Sequence, residues 1–332
     1  MTGTMTAWCR ETYGPAAGTR PTEVPIPVPG RGEVLLHVRA TALNAGDVHI
    51  LHGDPLLVRP AFGMSRPRQA IRGMDVAGTV AAVGPGVVGA EPGEEVVVEL
   101  PGGGGLAAYA LAPSTRIVPR PPDVPAVLAS TLPIAGGTAW QALDAAGVGI
   151  GRAGHRVLIV GASGGVGTFA VQLAALRGAE VWASCGARSA ALIERLGAVR
   201  TFDHRLSPLA DLPGGRFDAV IDIAGAAPLR GLQRLTADGG KIVLVGGEGG
   251  AVLGPIPRML RAGVLSIGSH RGIRPLAASA RPEVLTKLLE LVDQGRLVPV
   301  VEREYSFTEA PEALARIEAG HVVGKVVVRG QE

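Results

Sequence analysis

The sequence predicts an α/β chain in two parts, a strand-rich N-terminal third and a doubly wound parallel sheet after it. Three observations carry this prediction. Short apolar runs in the first third are punctuated by Pro29-Gly30, Gly84-Pro85, Pro92-Gly93 and Pro101-Gly102, the regular turn spacing of an all-β, barrel-like unit. After Pro119–Pro122 (PRPP), helical spacing alternates with buried-strand runs, the signature of a parallel sheet covered on both faces. Finally, 332 residues, 47% of them hydrophobic, exceed one ordinary core.

In chain order, strands are expected at Glu33–Ala40 (EVLLHVRA), Val76–Val83 (VAGTVAAV) and Glu95–Glu99 (EVVVE), then at Arg156–Val160, Val181–Cys185, Ala219–Asp222 and Lys241–Val245. Between the later strands the spacing predicts helices at Val166–Leu176, Ala190–Leu196 and Pro228–Leu235. Near Ser266 the texture becomes mixed: helices are expected at Pro282–Gln294 and Glu309–Ala319, and Lys325–Arg329 closes as a strand. The expected domains are therefore 1–121 and 122–265, with 266–332 returning to complete the first.

The charge balance is mildly basic, net +3, with no Lys/Arg tract, which argues against nucleic acid as partner. Lysine occurs only at Lys241, Lys287 and Lys325. Two cysteines, Cys9 and Cys185, cannot build a disulfide framework or a C-x-x-C metal clip. The N-terminus lacks a basic segment followed by an apolar run. No apolar stretch approaches the roughly 18 residues of a membrane span. The expectation is a soluble, reduced, cytoplasmic protein with a small-molecule substrate and no membrane partner.

The run Val157–Ala174 (VLIVGASGGVGTFAVQLA) reads as strand, turn and helix. Ala162, Gly164 and Gly167 form A-x-G-x-x-G, the dinucleotide fingerprint with alanine in the first slot. Small residues let the backbone turn sharply, approach a pyrophosphate and pack the helix on the strand. Ser163, Gly165 and Val166 complete the turn, whose free N–H groups and helix dipole suit phosphates. The alternative, a glycine turn in any βα unit, is weakened by its place in a run of such units. The second strand ends Ala183-Ser184-Cys185-Gly186-Ala187-Arg188-Ser189 without an acid to hold the ribose hydroxyls of NAD. Arg188 could pair with a 2′-phosphate and Ser184 or Ser189 could donate to it, so NADPH is the expected cofactor. A solvated Arg188 at a helix start is the alternative.

Three motifs in order, Arg72-Gly-Met-Asp-Val-Ala-Gly-Thr-Val80, Leu132-Pro-Ile-Ala-Gly-Gly-Thr-Ala139 and the glycine turn, together with the closing Glu309–Ala313 (EAPEA) and Gly324–Val328 (GKVVV), resemble the medium-chain dehydrogenase/reductases. The likeness covers nearly the whole chain and is strongest to their zinc-independent quinone oxidoreductase branch. It implies a GroES-like β-barrel domain, a Rossmann domain, a cleft between them and usually a homodimer. Zinc-dependent members carry a Cys, a His and a Cys or Asp where this chain has Asn44, Met74 and Ile134. An amide, a thioether and an alkyl group cannot hold catalytic zinc, and the cysteine-rich structural-zinc lobe is absent, so no metal is expected.

Without a Lewis acid, a quinone or an α,β-unsaturated carbonyl is a better hydride acceptor than a simple ketone, because its negative charge spreads onto a distant oxygen. Two other readings stand beside this: a pathway-specific enoyl reductase in natural-product biosynthesis, and a nucleotide-binding protein without turnover. Asn44 is expected beside the nicotinamide or substrate, or else closes a turn. Asp47 matches a family acid, with structural capping as the alternative. Tyr109 is a candidate proton donor or a packed barrel tyrosine. The basic segment Arg59–Arg72 either covers the cleft or is a solvated loop. The resemblance places Thr138, Gly246, Gly247, Ser269 and His270 on the cofactor side and Lys325 near its phosphates, with helix or strand-end pairing as the alternative for the lysine.

Overall fold

The computed structural model describes residues 3–149, 154–206, 209–246 and 252–331, and divides into two compact units, Met1–Gly137 with Ala280–Glu332, and Thr138–Ser279. The first unit begins with strands β1 (Thr4–Cys9), β2 (Arg20–Pro25) and β3 (Glu33–Leu43) and helices α1 (Ala45–His52) and α2 (Arg59–Phe62). Strands β4 (Asp75–Val83), β5 (Glu95–Glu99), β6 (Tyr109–Pro113) and β7 (Val118–Pro119) and helix α3 (Ala126–Ala129) follow. Helix α4 (Gly137–Ala145) carries the chain into the second unit, which holds β8 (Arg156–Val160), α5 (Gly165–Leu176), β9 (Glu180–Cys185), α6 (Ala190–Arg195) and β10 (Ala198–Asp203). It continues through β11 (Phe217–Asp222), α7 (Leu229–Leu235), β12 (Thr236–Leu244), α8 (Ile256–Ser266) and β13 (Gly272–Pro275). The return segment adds α9 (Pro282–Asp293), β14 (Val301–Tyr305), α10 (Ala310–Glu318) and β15 (Lys325–Arg329) to the first unit.

In unit 1 the sheet order is β14-β15-β3-β4-β5-β7. Strand β3 is its axis. Along one edge it pairs with β4, and along the other with β6 over Glu33–His37 and with β15 over Ala40–Leu43. Its near-continuous burial follows from having partners on both edges and apolar packing on its faces, where Val34, Leu36 and Val38 meet Val76, Val80, Val96 and Val98. Helix α10 buries Ala313 and Leu314 against Leu43, Leu51, Val326 and Val328, an amphipathic stripe closing over the β3–β15 junction.

Unit 2 is a six-stranded parallel sheet of order β10-β9-β8-β11-β12-β13. The order runs outward from β8 in both directions, so right-handed crossovers put helices on both faces. The central strands are mostly apolar, and Leu158, Trp182, Phe217, Val220 and Ile242 pack with Leu232 and Leu235 of α7. Trp182 meets Phe217 edge to face at 5.3 Å between centroids, a favoured aromatic geometry.

The division between units differs from the sequence-based boundaries. Residues 122–137 stay with unit 1, and residues 266–279 stay with unit 2 because they carry β13, whose backbone bonds to β12 complete the parallel sheet. A four-residue edge strand, Gly-Ile-Arg-Pro, is too short to show a period, so the sequence alone leaves it invisible.

Candidate functional site

In unit 2 the parallel strands place their C-terminal ends along one edge, and the order reverses between β8 and β11, the position where open α/β sheets bind ligands. The chain leaves β8 through Gly161, held at φ +86°, and enters α5 at Gly165. The Ser184 carbonyl at the end of β9 accepts from the N–H groups of both Gly161 and Ala162, at 3.1 and 3.0 Å, and fixes the turn. A Cβ on Gly167 would lie 2.3 Å from the Gly161 carbonyl oxygen and 2.6 Å from that of Ala162, so only glycine lets helix and turn pack. A Cβ on Gly164 would have no neighbour closer than 3.7 Å. The space above Gly164 is therefore open, next to a helix start whose first N–H groups lack intrahelical acceptors. A pyrophosphate fits this arrangement.

Ala162, Ser163, Gly164, Gly165, Val166 and Gly167 thus form one continuous turn, with Ser184 buried beneath it. Arg188 is exposed in the short helical turn Ala187–Ser189 that follows β9. The structure adds an acid that the sequence reading missed. Asp203, at the end of β10, pairs in register with Cys185, and its carboxylate accepts from the Ala187 and Arg205 N–H groups at 3.2 and 3.0 Å. It reaches the loop from the neighbouring strand, so a search along the second strand does not find it.

Gly246 follows β12 on the same edge, where a Cβ would lie 2.3 Å from the Ile223 carbonyl oxygen. Gly247 lies outside the described residues. Thr138 sits in the first turn of α4; three residues on, Gln141 exchanges two hydrogen bonds with Ser279, in the segment leaving the C-terminal edge of β13. Ser269 and His270 require correction. They precede β13, which runs parallel to β12 with Gly272 level with Lys241. Both residues therefore lie at the N-terminal edge of the sheet, opposite the glycine turn. Helix α8 consumes the chain after β12, so this loop enters a strand instead of leaving one. A further buried acid, Asp222 at the end of β11, pairs with Arg258 at 2.7 Å and accepts from Gly225 N–H at 3.0 Å.

In unit 1 a second cluster forms where three strands meet. Asn44 follows the last residue of β3, Asp75 opens β4 and Lys325 opens β15. The registers Leu43↔Val326 and Ala42↔Asp75 bring all three side chains together. The Lys325 ammonium donates to Asn44 Oδ1 at 2.5 Å and lies 3.6 Å from Asp75 Oδ2. Asn44 Nδ2 donates to Asp75 Oδ2 at 2.9 Å, and the Ile134 N–H donates to Asp75 Oδ1 at 3.2 Å. Asp75 is 0% and Lys325 3% exposed, whereas Asn44 is half-buried. Burial pushes the Asp75 carboxyl up to about 7, against the lowering pull of Lys325 and of the Asn44 hydrogen bond. Burial pushes Lys325 down from its ordinary value, against Asp75 and Asp47.

Asp47 is fully buried and its two oxygens are taken by backbone amides, Asn44 N–H at 2.9 Å and Gly73 N–H at 2.8 Å. It caps α1 and pins the 71–74 turn, and presents no atom to a substrate. Burial raises its carboxyl, while the two amides and Arg72 lower it. Tyr109 pairs with His37 across β3 and β6, and their rings stack at 5.1 Å. Seven residues of strand, roughly 23 Å at about 3.3 Å each, separate that level from Asn44, so the structure does not join Tyr109 to this cluster. Lys325, expected near the cofactor phosphates, is instead buried on Asn44 and Asp75, the strand-end pairing that was its alternative. Asp75, the acid in the Met-Asp-Val-Ala-Gly run, is the residue sequence reading missed; its one signal is a carboxylate at the head of an otherwise apolar strand.

The three positions that hold zinc in zinc-dependent relatives are together here: Asn44 and Ile134 both bond Asp75, and Met74 precedes it. Their amide, thioether and alkyl side chains do not fit a tetrahedral zinc site. Among the described residues, no group of three or more His, Cys, Asp or Glu side chains could hold a metal ion, and no helix is long and apolar enough to cross a membrane.

Comparison with known proteins agrees with this architecture. Residues 30–122 match the alcohol dehydrogenase GroES-like domain family and residues 196–328 the zinc-binding dehydrogenase family. The chain is 38% identical over 325 residues to the chloroplastic quinone-oxidoreductase QR1 of Triphysaria versicolor, covering 95% of each. It is 31% identical over 357 residues to the mitochondrial NAD(P)H oxidoreductase RTN4IP1 of Mus musculus, covering 98% of this chain and 89% of that protein. The solved quinone oxidoreductase from Coxiella burnetii superposes with a TM-score of 0.87 at 26% identity, covering 99% of this chain and 100% of that one.

Proposed function

Because the chain belongs to the medium-chain dehydrogenase/reductase superfamily and is quinone-oxidoreductase-like, we propose that it is an NADPH-dependent, zinc-independent oxidoreductase that reduces a quinone or an α,β-unsaturated carbonyl. The observation that carries this reading is the Asn44 cluster. Where zinc-dependent relatives need a metal donor set, this chain has an amide hydrogen-bonded between a buried ammonium and a buried carboxylate. Such a corner can orient a substrate and offer polar contacts, but it supplies no strong Lewis acid. Substrates that delocalise their own negative charge suit it, and the protein's part is mainly orientation.

The roles of the residues follow. The Gly164–Gly167 backbone and the start of α5 hold the pyrophosphate. Arg188, exposed just beyond β9, receives the 2′-phosphate with charge-assisted bonding from its guanidinium, while Ser184 stays buried beneath the turn. Thr138 and Gly246 line the cofactor, and Asn44 faces the substrate. The bound cofactor supplies the hydride. Family membership also supports a homodimer, which light scattering measures.

The test is steady-state NADPH oxidation with 1,4-benzoquinone, 9,10-phenanthrenequinone and a panel of enones, alongside elemental analysis of protein purified without chelator. Turnover without stoichiometric zinc is expected. NADPH binding without oxidation by any acceptor would refute the enzyme reading. About one zinc per chain, with activity lost to a chelator, would refute zinc independence.

A further inference from the structure

Lysine only donates hydrogen bonds and a carboxylate only accepts them. The amide of Asn44 lies between the two, so both charges favour one orientation, Oδ1 toward Lys325 and Nδ2 toward Asp75, the same sense in which Nδ2 meets the Ala42 carbonyl at 3.4 Å and the side chain caps α1. Asp75 has no spare freedom either, because its second oxygen accepts from Ile134 N–H. Of these three side chains only Asn44 is more than marginally exposed, so Asp75 and Lys325 act on a bound molecule through it.

We propose that Asp75 and Lys325 are positioning residues that lock the Asn44 amide in one orientation for the substrate. This rests on the reading of Asn44 given above. The two charges stand on different strands, 31 and 281 residues away from Asn44; shape alone does not distinguish the two amide faces, and the charges reinforce the local contacts at Ala42 and the start of α1.

Asp75→Asn is the informative change. An amide at 75 offers one acceptor where the carboxylate offers two. Its one oxygen must be shared between Ile134 N–H and Asn44 Nδ2, both of which lie within 3.4 Å of the present Oδ2, and its NH2 group adds a donor where Oδ1 now accepts. The charge that draws Nδ2 to this side is gone, so the preference of the Asn44 amide for one orientation weakens. The lock is loosened while the volume of the site is kept.

Two readouts test this. The first needs no turnover: the side-chain amide resonances of Asn44 in nitrogen-15-labelled protein, identified by their absence in Asn44→Ala. They are expected to exchange slowly with water in the parent protein and to shift and exchange at least tenfold faster in Asp75→Asn. The second is a double-mutant cycle on quinone reduction. Asp75→Asn is expected to lower kcat about tenfold with NADPH affinity within twofold of the parent, and to cost less than twofold more in the Asn44→Ala background. Lys325→Met, which removes the donor on the other side, gives the same pair of readouts if Asp75→Asn does not fold. Unchanged Asn44 resonances in a folded Asp75→Asn or Lys325→Met protein would overturn the lock, whether or not the chain reduces quinones. Equal losses in both backgrounds would overturn action through Asn44 while leaving the proposed reaction standing.

Discussion

A single methyl group placed at Gly167 or at Gly164 should have opposite consequences. At Gly167 the new Cβ would meet the Gly161 carbonyl oxygen at 2.3 Å and the Ala162 carbonyl at 2.6 Å, about 1 Å inside ordinary contact of roughly 3.5 Å. Helix α5 would have to lift by about that much. Its buried side chains, Phe169, Ala170, Val171 and Leu173, would lift with it and loosen their packing. Overpacking of this kind costs about 1–3 kcal/mol or somewhat more, which for a unit of this size lowers Tm by roughly 3–12 °C. At Gly164 the backbone has φ −76° and ψ 176°, open to any residue, and the nearest atom is 3.7 Å away. Alanine there gains up to about 1 kcal/mol from a stiffer unfolded chain and loses a similar amount as a poorer N-cap. Gly164→Ala should therefore melt within about 3 °C of the parent, while its methyl occupies the space assigned to the pyrophosphate and raises the NADPH Kd at least tenfold, about 1.4 kcal/mol. Thermal melts and fluorescence titrations with NADPH on both variants check this. Near-parental NADPH affinity in Gly164→Ala would refute the cradle, and a parental Tm for Gly167→Ala would refute the packing argument.

Three further outcomes are expected. Arg188→Ala should reduce the preference for NADPH over NADH by about 1–3 kcal/mol, the scale of a hydrogen bond to a charged group, as read from the two Kd values; equal affinities in the parent protein would contradict the assignment. Arg258→Ala leaves the Asp222 carboxylate, 0% exposed, without its 2.7 Å partner, and should destabilise unit 2 by about 3–5 kcal/mol in a denaturant titration. Asp75 binds its proton more tightly folded than unfolded, because burial raises it to about 7. The stability it contributes is fully present below its ordinary value near 4 and is lost as pH rises through about 7, so the fall in stability across that window should be shallower in Asp75→Asn, measured by denaturant midpoints at several pH values.

Much of unit 2 was legible because its signals are local. Strand Arg156–Val160 has the limits its apolar run suggests, and Glu180–Cys185 begins one residue before its expected start. The helix after the glycine turn begins one residue before its expected start. A strand, a turn and a helix start span a dozen residues, and their chemistry needs no distant partner. The misplacement of Ser269 and His270 has a physical cause of the same kind: the side of a parallel sheet on which a loop lies depends on whether it leaves or enters a strand, and β13 is too short to announce itself.

The kinds of pieces in this protein are written in its residues alone: apolar strand runs, an A-x-G-x-x-G turn and the absence of metal-donor side chains at positions 44, 74 and 134. These depend on side-chain identity and on spacing within one turn or strand. Tertiary structure decided which pieces meet. Asn44 touches Lys325 because β15 pairs with β3 in the register Leu43↔Val326, and Asp75 joins them because β4 takes the other edge. Register is set by burial of whole strand faces, a collective property of residues far apart in the chain. The same physics made Asp47 a cap and set Lys325 on Asn44, since burial gives a charged group a strong demand for whatever partners the pairing of strands brings within reach.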